Sequence, residues 1–348
     1  MKRSPSLQPL SACAYRLFVG VDSAAQTAVA AWIVPGEPIT RPITSEQTAS
    51  GFGALQEHLL ATGIAPGYIL IVLEATGTYW VKLAITLVQA GFMVSVINPA
   101  QAHDFAKALL KRAKTDAIDA QTLAQLAERL PPPPWNPPPA IAVDLEHRLQ
   151  ERETLLKLRQ HVRNQLHALA QHPQIVLAVQ RRMETLIQTL TEQVAEVEAE
   201  IAHVLSQDTA WAQTAARLQS ISGIGLLTAT HLLVTTLNFT EPLTAEQTAA
   251  YAGLVPYPRR SGTSVRGRTG SGQTGNARLR RALYLATLSA AQCNPIIKTF
   301  YDRLRAAGKP MKVARCAAAR KLLHLAFAIA KSDQPFDPLY QQRSRVVA

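Results

Sequence analysis

Between residues 15 and 34 the apolar positions first run together and then alternate (YRLFVGVD, then AVAAWIV), which predicts two strands in a hairpin-like start. A third strand is expected near residues 38–44. Residues 53–62 pattern as a helix, YILIVLE (68–74) as a buried strand, 78–90 as a helix and FMVSVIN (92–98) as a further strand. Two more helices are expected over 99–110 and 115–130. The order β-β-β-α-β-α-β-α describes an α/β domain with one mixed sheet, spanning residues 15–130.

The run PPPPWNPPP (131–139) interrupts this pattern. Proline has no N–H and a fixed φ, so the run forms neither a helix nor a central strand, and a stiff extended linker is expected. Beyond it Leu145, Leu149, Leu155, Leu158, Val162, Leu166 and Leu169 recur at spacings near three and four, up to a break at His172-Pro173. Val179, Met183, Leu186, Leu190, Val194, Val197, Ile201 and Val204 repeat the spacing. So narrow an apolar seam predicts an antiparallel coiled-coil hairpin over 140–208, with a pair of ordinary bundle helices as the other reading. A spacer or oligomerisation role is expected of it, not chemistry. Residues 209–335 pattern as helices around one glycine-rich loop. Residues 1–14 read as a loose arm without the apolar centre of a signal peptide, and 336–348 as a tail.

Charge changes the picture more than bulk composition does. The chain has 348 residues, 47% of them hydrophobic, enough for two or three domains with real cores. Its formal net charge of +12 favours a polyanionic partner, nucleic acid first. Cys13, Cys293 and Cys316 have no CxxC spacing, so neither a zinc site nor a disulfide framework is indicated, and a reducing cytoplasmic location is expected. No apolar run reaches the ~18–20 residues that span a bilayer, so no membrane partner is expected.

Four carboxylates suggest what happens to the polyanion. Asp22 ends the first strand, Glu74 ends the later buried strand, and Asp116 and Asp119 lie three apart at a helix start, hence on one face. Strand ends on one side of a sheet converge with a neighbouring helix. Acids gathered there resist ionising, and a hard divalent cation, Mg²⁺ or Mn²⁺, relieves the repulsion. Such ions clamp the attacking and leaving oxygens of a phosphodiester. Taken singly, each acid also reads as a cap or turn residue. Lys107, Lys111, Arg112 and Lys114 flank the pair and suit a nucleic-acid backbone, or a solvated helix face.

Further on, Gly223-Ile224-Gly225 separates two apolar helical runs, as in a helix-hairpin-helix module whose glycines admit a phosphate to backbone N–H groups, or as in a plain tight turn. Ser261 then stands in a glycine-rich stretch without any Asp or Glu between Glu246 and Asp302. Arg259, Arg260, Arg266 and Arg268 surround it, and Arg278, Arg280 and Arg281 open the next helix. Guanidinium forks match phosphate oxygens, and glycines let backbone approach a ligand. A serine needs its proton removed before it is nucleophilic, and no histidine lies near it in sequence. Ser261 is therefore either a nucleophile activated by a metal site from the first domain or one donor in a binding loop.

The pieces LFVGVD, LEATGTYW and KRAKTDAIDA, then GIG, GLVPYPRRSGTSVRGR, GNARLRRALYLA and NPIIKTFYDRLRAAGKPMKVA, occur in this order over nearly all of 15–335. The combination is similar to the DEDD transposases of bacterial insertion sequences, the insertion sequence 110 family, and looks nearest to its 1111 branch. The resemblance implies a RuvC-like (ribonuclease H-type) N-terminal domain with Asp22, Glu74, Asp116 and Asp119 as the metal-binding tetrad. It implies a second, serine-bearing transposase domain with Ser261 as nucleophile; the residue patterns place the helical coiled-coil hairpin before it and make it a mostly α C-terminal domain with a helix-hairpin-helix element. It further implies excision and insertion of an element, guidance by a bridge RNA that pairs with DNA, and homodimers that assemble to tetramers. Two departures remove cations: Gln273 stands where relatives commonly have lysine before the glycine-asparagine pair, and Ala25 where many have lysine after the first aspartate. A metal-only junction nuclease, in which water attacks, and a non-catalytic nucleic-acid-binding protein are the rival readings.

Overall fold

A computed structural model describes residues 15–111, 115–240, 244–257, 260–261, 265–266, 270–271, 275–332 and 334–339, with backbone alone for 257, 260–261, 265–266 and 270–271. The chain divides into two compact units, Met1–Pro137 and Pro138–Ala348.

The first unit is built on a five-stranded mixed sheet in the order β3-β2-β1-β4-β5. Its strands are β1 (Leu17–Ser23), β2 (Thr27–Ile33), β3 (Ile43–Glu46), β4 (Ile69–Glu74) and β5 (Met93–Ile97). β1 pairs antiparallel with β2 and parallel with β4, and β4 pairs parallel with β5. The third strand lies later than the 38–44 expected from pattern, because pairing with β2 places Ile43 opposite Ala30 and Glu46 opposite Thr27. Two-residue periodicity sends Leu17, Val19 and Val21 to one face, with α1 (Ala49–Leu60) and α2 (Trp80–Gln89) packed on them. Phe18, Leu70 and Val72 face the other way, against α3 (Pro99–Ala108) and α4 (Asp116–Arg129).

The proline run does not stand clear of this unit. Trp135 N donates to Val94 O at 2.7 Å, Ser95 Oγ donates to Pro132 O and Pro133 O, and the Trp135 ring meets Trp80 edge-on at 5.4 Å. A segment poor in N–H groups thus covers the edge strand β5, which blunts it against pairing with another chain.

In the second unit α5 (Ala140–Leu169) and α6 (Leu177–Gln207) run antiparallel, since Arg148 pairs with Glu200 and Arg152 with Glu198. Leu145, Leu149, Val162, Leu190, Val194, Val197 and Ile201 are buried, as the seam requires. Leu158 and Leu186, counted in the same seam, stay 49% and 47% exposed. Then come α7 (Thr209–Gln219), α8 (Leu226–Thr236), α9 (Ala245–Tyr251), α10 (Ala277–Cys293), α11 (Pro295–Ala306) and α12 (Met311–Ser332). They share one core with the base of the α5–α6 pair. Phe336, expected in the tail, is held instead: its N–H donates to Ser220 Oγ at 2.8 Å and its ring packs on that core. No described helix is long and apolar enough to cross a membrane.

Candidate active site

Period-two alternation puts Phe18, Gly20 and Asp22 on one face of β1, and Leu70, Val72 and Glu74 on the same face of β4. Val21 pairs with Leu73, so Asp22 and Glu74 end neighbouring parallel strands side by side. α4 crosses this face at Gly20, where a Cβ would lie 2.1 Å from Ala120 O and 2.2 Å from Ala124 N. Only a residue without a side chain admits backbone that close. The crossing brings the first turn of α4, with Asp116 and Asp119, to the end of β1. Thr115 fixes that turn by accepting from Ile118 N–H.

Three of the acids act on the fourth, Asp22. Burial, then Asp116, Asp119 and Glu74, push the Asp22 carboxyl up to about 6, against one lowering backbone hydrogen bond from Ser23. Glu74 accepts a short hydrogen bond from Thr76 Oγ1. Lys111 Nζ donates to Thr122 Oγ1 at 2.9 Å; burial holds its ammonium below the usual range while Asp119 works the other way. Among the described residues no three acid, histidine or cysteine side chains close around a point as metal ligands. The donor chemistry nonetheless fits a hard cation: carboxylate oxygens, one of them on a carboxyl that burial and its acidic neighbours hold above the usual range. Arg112 and Lys114 lie outside the described residues.

The second set sits in the other unit. Gly223 takes φ +104 between α7 and α8, and a Cβ there would meet Ala290 Cβ at 2.5 Å, so this glycine serves packing against α10. Gly225 is the exposed N-cap of α8, with open space where a Cβ would be. The glycine-rich stretch forms two short antiparallel ladders, β6 (Pro256–Tyr257) with β9 (Gly270–Ser271), and β7 (Arg260–Ser261) with β8 (Val265–Arg266). Ser261 pairs with Val265 and Arg260 with Arg266. Arg259 and Arg268 lie outside the described residues, as does Gln273. The base of the stretch is pinned: Asn276 N donates to Tyr251 O at 2.7 Å, and Gly275, at φ +96, leaves no room for a Cβ beside that carbonyl. Asn276 Oδ1 then caps α10 by accepting from Leu279 N.

Of the three arginines opening α10, Arg278 donates to Glu153 Oε2 at 2.9 Å, Arg281 lies 3.6 Å from Glu153 Oε1, and Arg280 donates to Ala252 O at 3.2 Å. Beside them a polar cavity of about 500 Å³ is lined by Glu146, Gln150, Glu153, His231, Asn276 and Arg278 among others. Burial, then Arg152 and Arg278, depress His231 to about 4, so this imidazole is neutral near pH 7. Sequence reasoning passed over Gly20, Glu153 and His231. Gly20 carried a signal, a glycine inside a strand pattern, which marks a bulge or a close backbone approach. The other two carried none.

Residues 19–172 match the model of a family described as "Transposase", the DEDD transposases of IS110, and residues 215–302 match that of the "Transposase IS116/IS110/IS902 family". The chain belongs to the IS110 family of transposases. The first match holds all four carboxylates and the second holds the ladders of Ser261. A "Pilin gene-inverting protein" of Moraxella bovis is 29% identical over 323 residues, 92% of this chain and 98% of that one. A "Probable family 20 transposase" of Pseudomonas aeruginosa is 24% identical over 77% of this chain and 86% of its own. An "Insertion element IS110 uncharacterized 43.6 kDa protein" of Streptomyces coelicolor is 39% identical, over 33% of this chain and 28% of its own. As an IS110 transposase the chain is an enzyme of DNA cleavage and transfer.

Proposed function

We propose that this transposase excises and inserts an insertion sequence through a covalent serine–DNA intermediate, with Asp22, Glu74, Asp116 and Asp119 as the ligands of Mg²⁺ or Mn²⁺. The observation that carries the metal half is the convergence of the β1 and β4 ends with the first turn of α4 at the Gly20 crossing, where burial and the other three acids raise the Asp22 carboxyl. A bound divalent cation would neutralise that repulsion and draw charge from the phosphate oxygens. Ser261 Oγ attacks phosphorus, a Ser–O–P bond forms, the bond to one bridging oxygen breaks, and the departing strand end takes up a proton. The new ester conserves the energy of the broken one, so strand exchange needs no ATP. Arg260 and Arg266, adjacent in register to Ser261, hold the non-bridging oxygens together with Arg259 and Arg268. Arg278, Arg280 and Arg281 would exchange their contacts with Glu153 and the Ala252 carbonyl for the backbone beyond, and Gly225 offers the free N–H groups of α8 to a further phosphate, in the manner of a helix-hairpin-helix element.

The first unit's mixed sheet with helices on both faces supports a RuvC-like assignment. Guidance by a bridge RNA and assembly of dimers into tetramers belong to the same proposal. Half-exposed Leu158 and Leu186 on the helical hairpin suit the assembly. Ser261→Ala is expected to abolish protein–DNA adducts on a denaturing gel while DNA binding persists. Adducts that survive the substitution would overturn the serine's role. Cleavage that survives it without adducts, yet is lost in Asp116→Asn, would favour direct attack by water.

A further inference from the structure

α12 is two-faced. Ala314, Ala318, Ala319, Leu322 and Leu323 are fully buried, while Val313, Cys316, Ala317, Arg320, Lys321 and His324, at three- and four-residue spacing, line a cavity of about 750 Å³. Leu254, Pro256 and Phe300 form its other wall, and Lys312 stands at its edge. The size lies within the range of about 300–1,000 Å³ that takes small organic ligands. Its chemistry is divided: an apolar lining beneath a concentration of positive charge. Lys321 Nζ and Arg303 Cζ lie 4.7 and 5.3 Å from the centre of the same Phe300 ring, two cations crowded on one aromatic. Among the described residues no carboxylate pairs with Lys312, Arg320 or Lys321 within 4.0 Å, although the nearby Glu246 feels the charge of Arg320 and lies 3.7 Å from His324 Nδ1. His324 Nε2 is buried without a hydrogen-bond partner.

We infer that this cavity takes a single unpaired nucleotide of the DNA strand, its base against Phe300, Val313 and Leu254 and its phosphates on Lys312, Arg320 and Lys321. An apolar floor for a base, a donor or acceptor at His324 for its edge and a cationic rim for its phosphates are the parts such a ligand needs. DNA is the source because Leu254 and Pro256 directly precede in sequence the ladders of Ser261, which the proposed function sets against a DNA phosphate; the inference rests on that reading.

Cys316 on the cavity wall supplies the readout. In the full chain carrying Cys13→Ser and Cys293→Ser, maleimide alkylation of Cys316 is followed with a single-stranded DNA, an RNA of the same sequence, each of about 12 nucleotides, and a fully paired duplex. Single-stranded DNA at about ten times its dissociation constant is expected to slow alkylation about ten-fold, and the paired duplex to leave it unchanged. Val313→Asp adds a negative charge at an exposed wall position (Val313 is 53% exposed), so it is expected to fold normally by circular dichroism and to lose the protection. Binding of single-stranded DNA by anisotropy without protection of Cys316 would overturn the pocket and leave the transposase reading standing. Failure to bind any DNA would overturn both. Protection by RNA and not by DNA, or protection unchanged in Val313→Asp, would overturn the assignment to an unpaired DNA nucleotide.

Discussion

Two titrating groups expose the electrostatic design of each unit. Asp22 holds its proton up to a pH of about 6, whereas the unfolded chain releases it near the ordinary aspartate value. Cation-free stability therefore falls as pH rises from about 4 to about 6, because the folded state must then carry a charge its neighbours oppose. Asp22→Asn is expected to raise the melting temperature at pH 7.5 in the presence of a chelator. With the proposed metal site, it should also remove the further rise expected of the wild type in Mg²⁺ or Mn²⁺, while abolishing cleavage. A lower melting temperature in the variant would contradict the repulsion argued for the site. His231 has the opposite sign. Its folded value near 4 lies below that of the unfolded imidazole, so its contribution is complete above about pH 6.5 and is lost as the pH falls toward 4. The loss is at most about 3 kcal/mol, at ~1.4 kcal/mol for each tenfold change in proton affinity. Urea midpoints measured from pH 7 to 4 should decline more steeply in the wild type than in His231→Gln. Parallel curves would show that the histidine is protonated at no cost.

Among the elements, α4 is the one whose placement decides the site. The repeat of strands and helices in the first unit was legible from apolar runs and periods, and so was the α5–α6 hairpin, because strands buried on both faces read as short apolar runs and helices packed along one seam as spacings of three and four. The crossing of α4 over β1 was not legible, since it depends on backbone contact at Gly20, which leaves no hydrophobic pattern. Gly20→Ala is expected to push α4 off the sheet: neither Ala120 O nor Ala124 N can yield without moving the helix. The expected cost is about 1–3 kcal/mol, as for other overpacked core sites. Asp22 should then titrate closer to an ordinary aspartate as Asp116 and Asp119 recede, and cleavage should fall with it. A stable Gly20→Ala enzyme with undiminished cleavage would remove Gly20 from the design. The proline run followed the same logic in reverse. Its composition marked an extended linker, but the hydrogen bonds of Trp135 and Ser95 that lay its first part along β5 depend on which edge the sheet leaves open.

At the scale of the whole molecule, two separate cores meet the chain's length, one around the mixed sheet and one among the helices of residues 138–339. A fragment of residues 15–137 is expected to fold cooperatively by itself, with both faces of its sheet already covered. It should bind Mg²⁺ or Mn²⁺ by calorimetry yet form no covalent adduct with DNA, because Ser261 is absent from it. A fragment that stays unfolded would mean that the first unit depends on the second for its core.

Taken alone, the sequence determined the succession of elements, the basic character of the chain, the identity of the acids and the serine, and the family to which they belong. These are properties of residue type and spacing, which the linear order carries in full. Tertiary structure decided which acids feel one another, that two of the arginines opening α10 face Glu153, and that the Ala-rich helix α12 turns a second face to a cavity. Each of those depends on segments far apart in the chain being brought within a few ångströms, and no local periodicity encodes that distance.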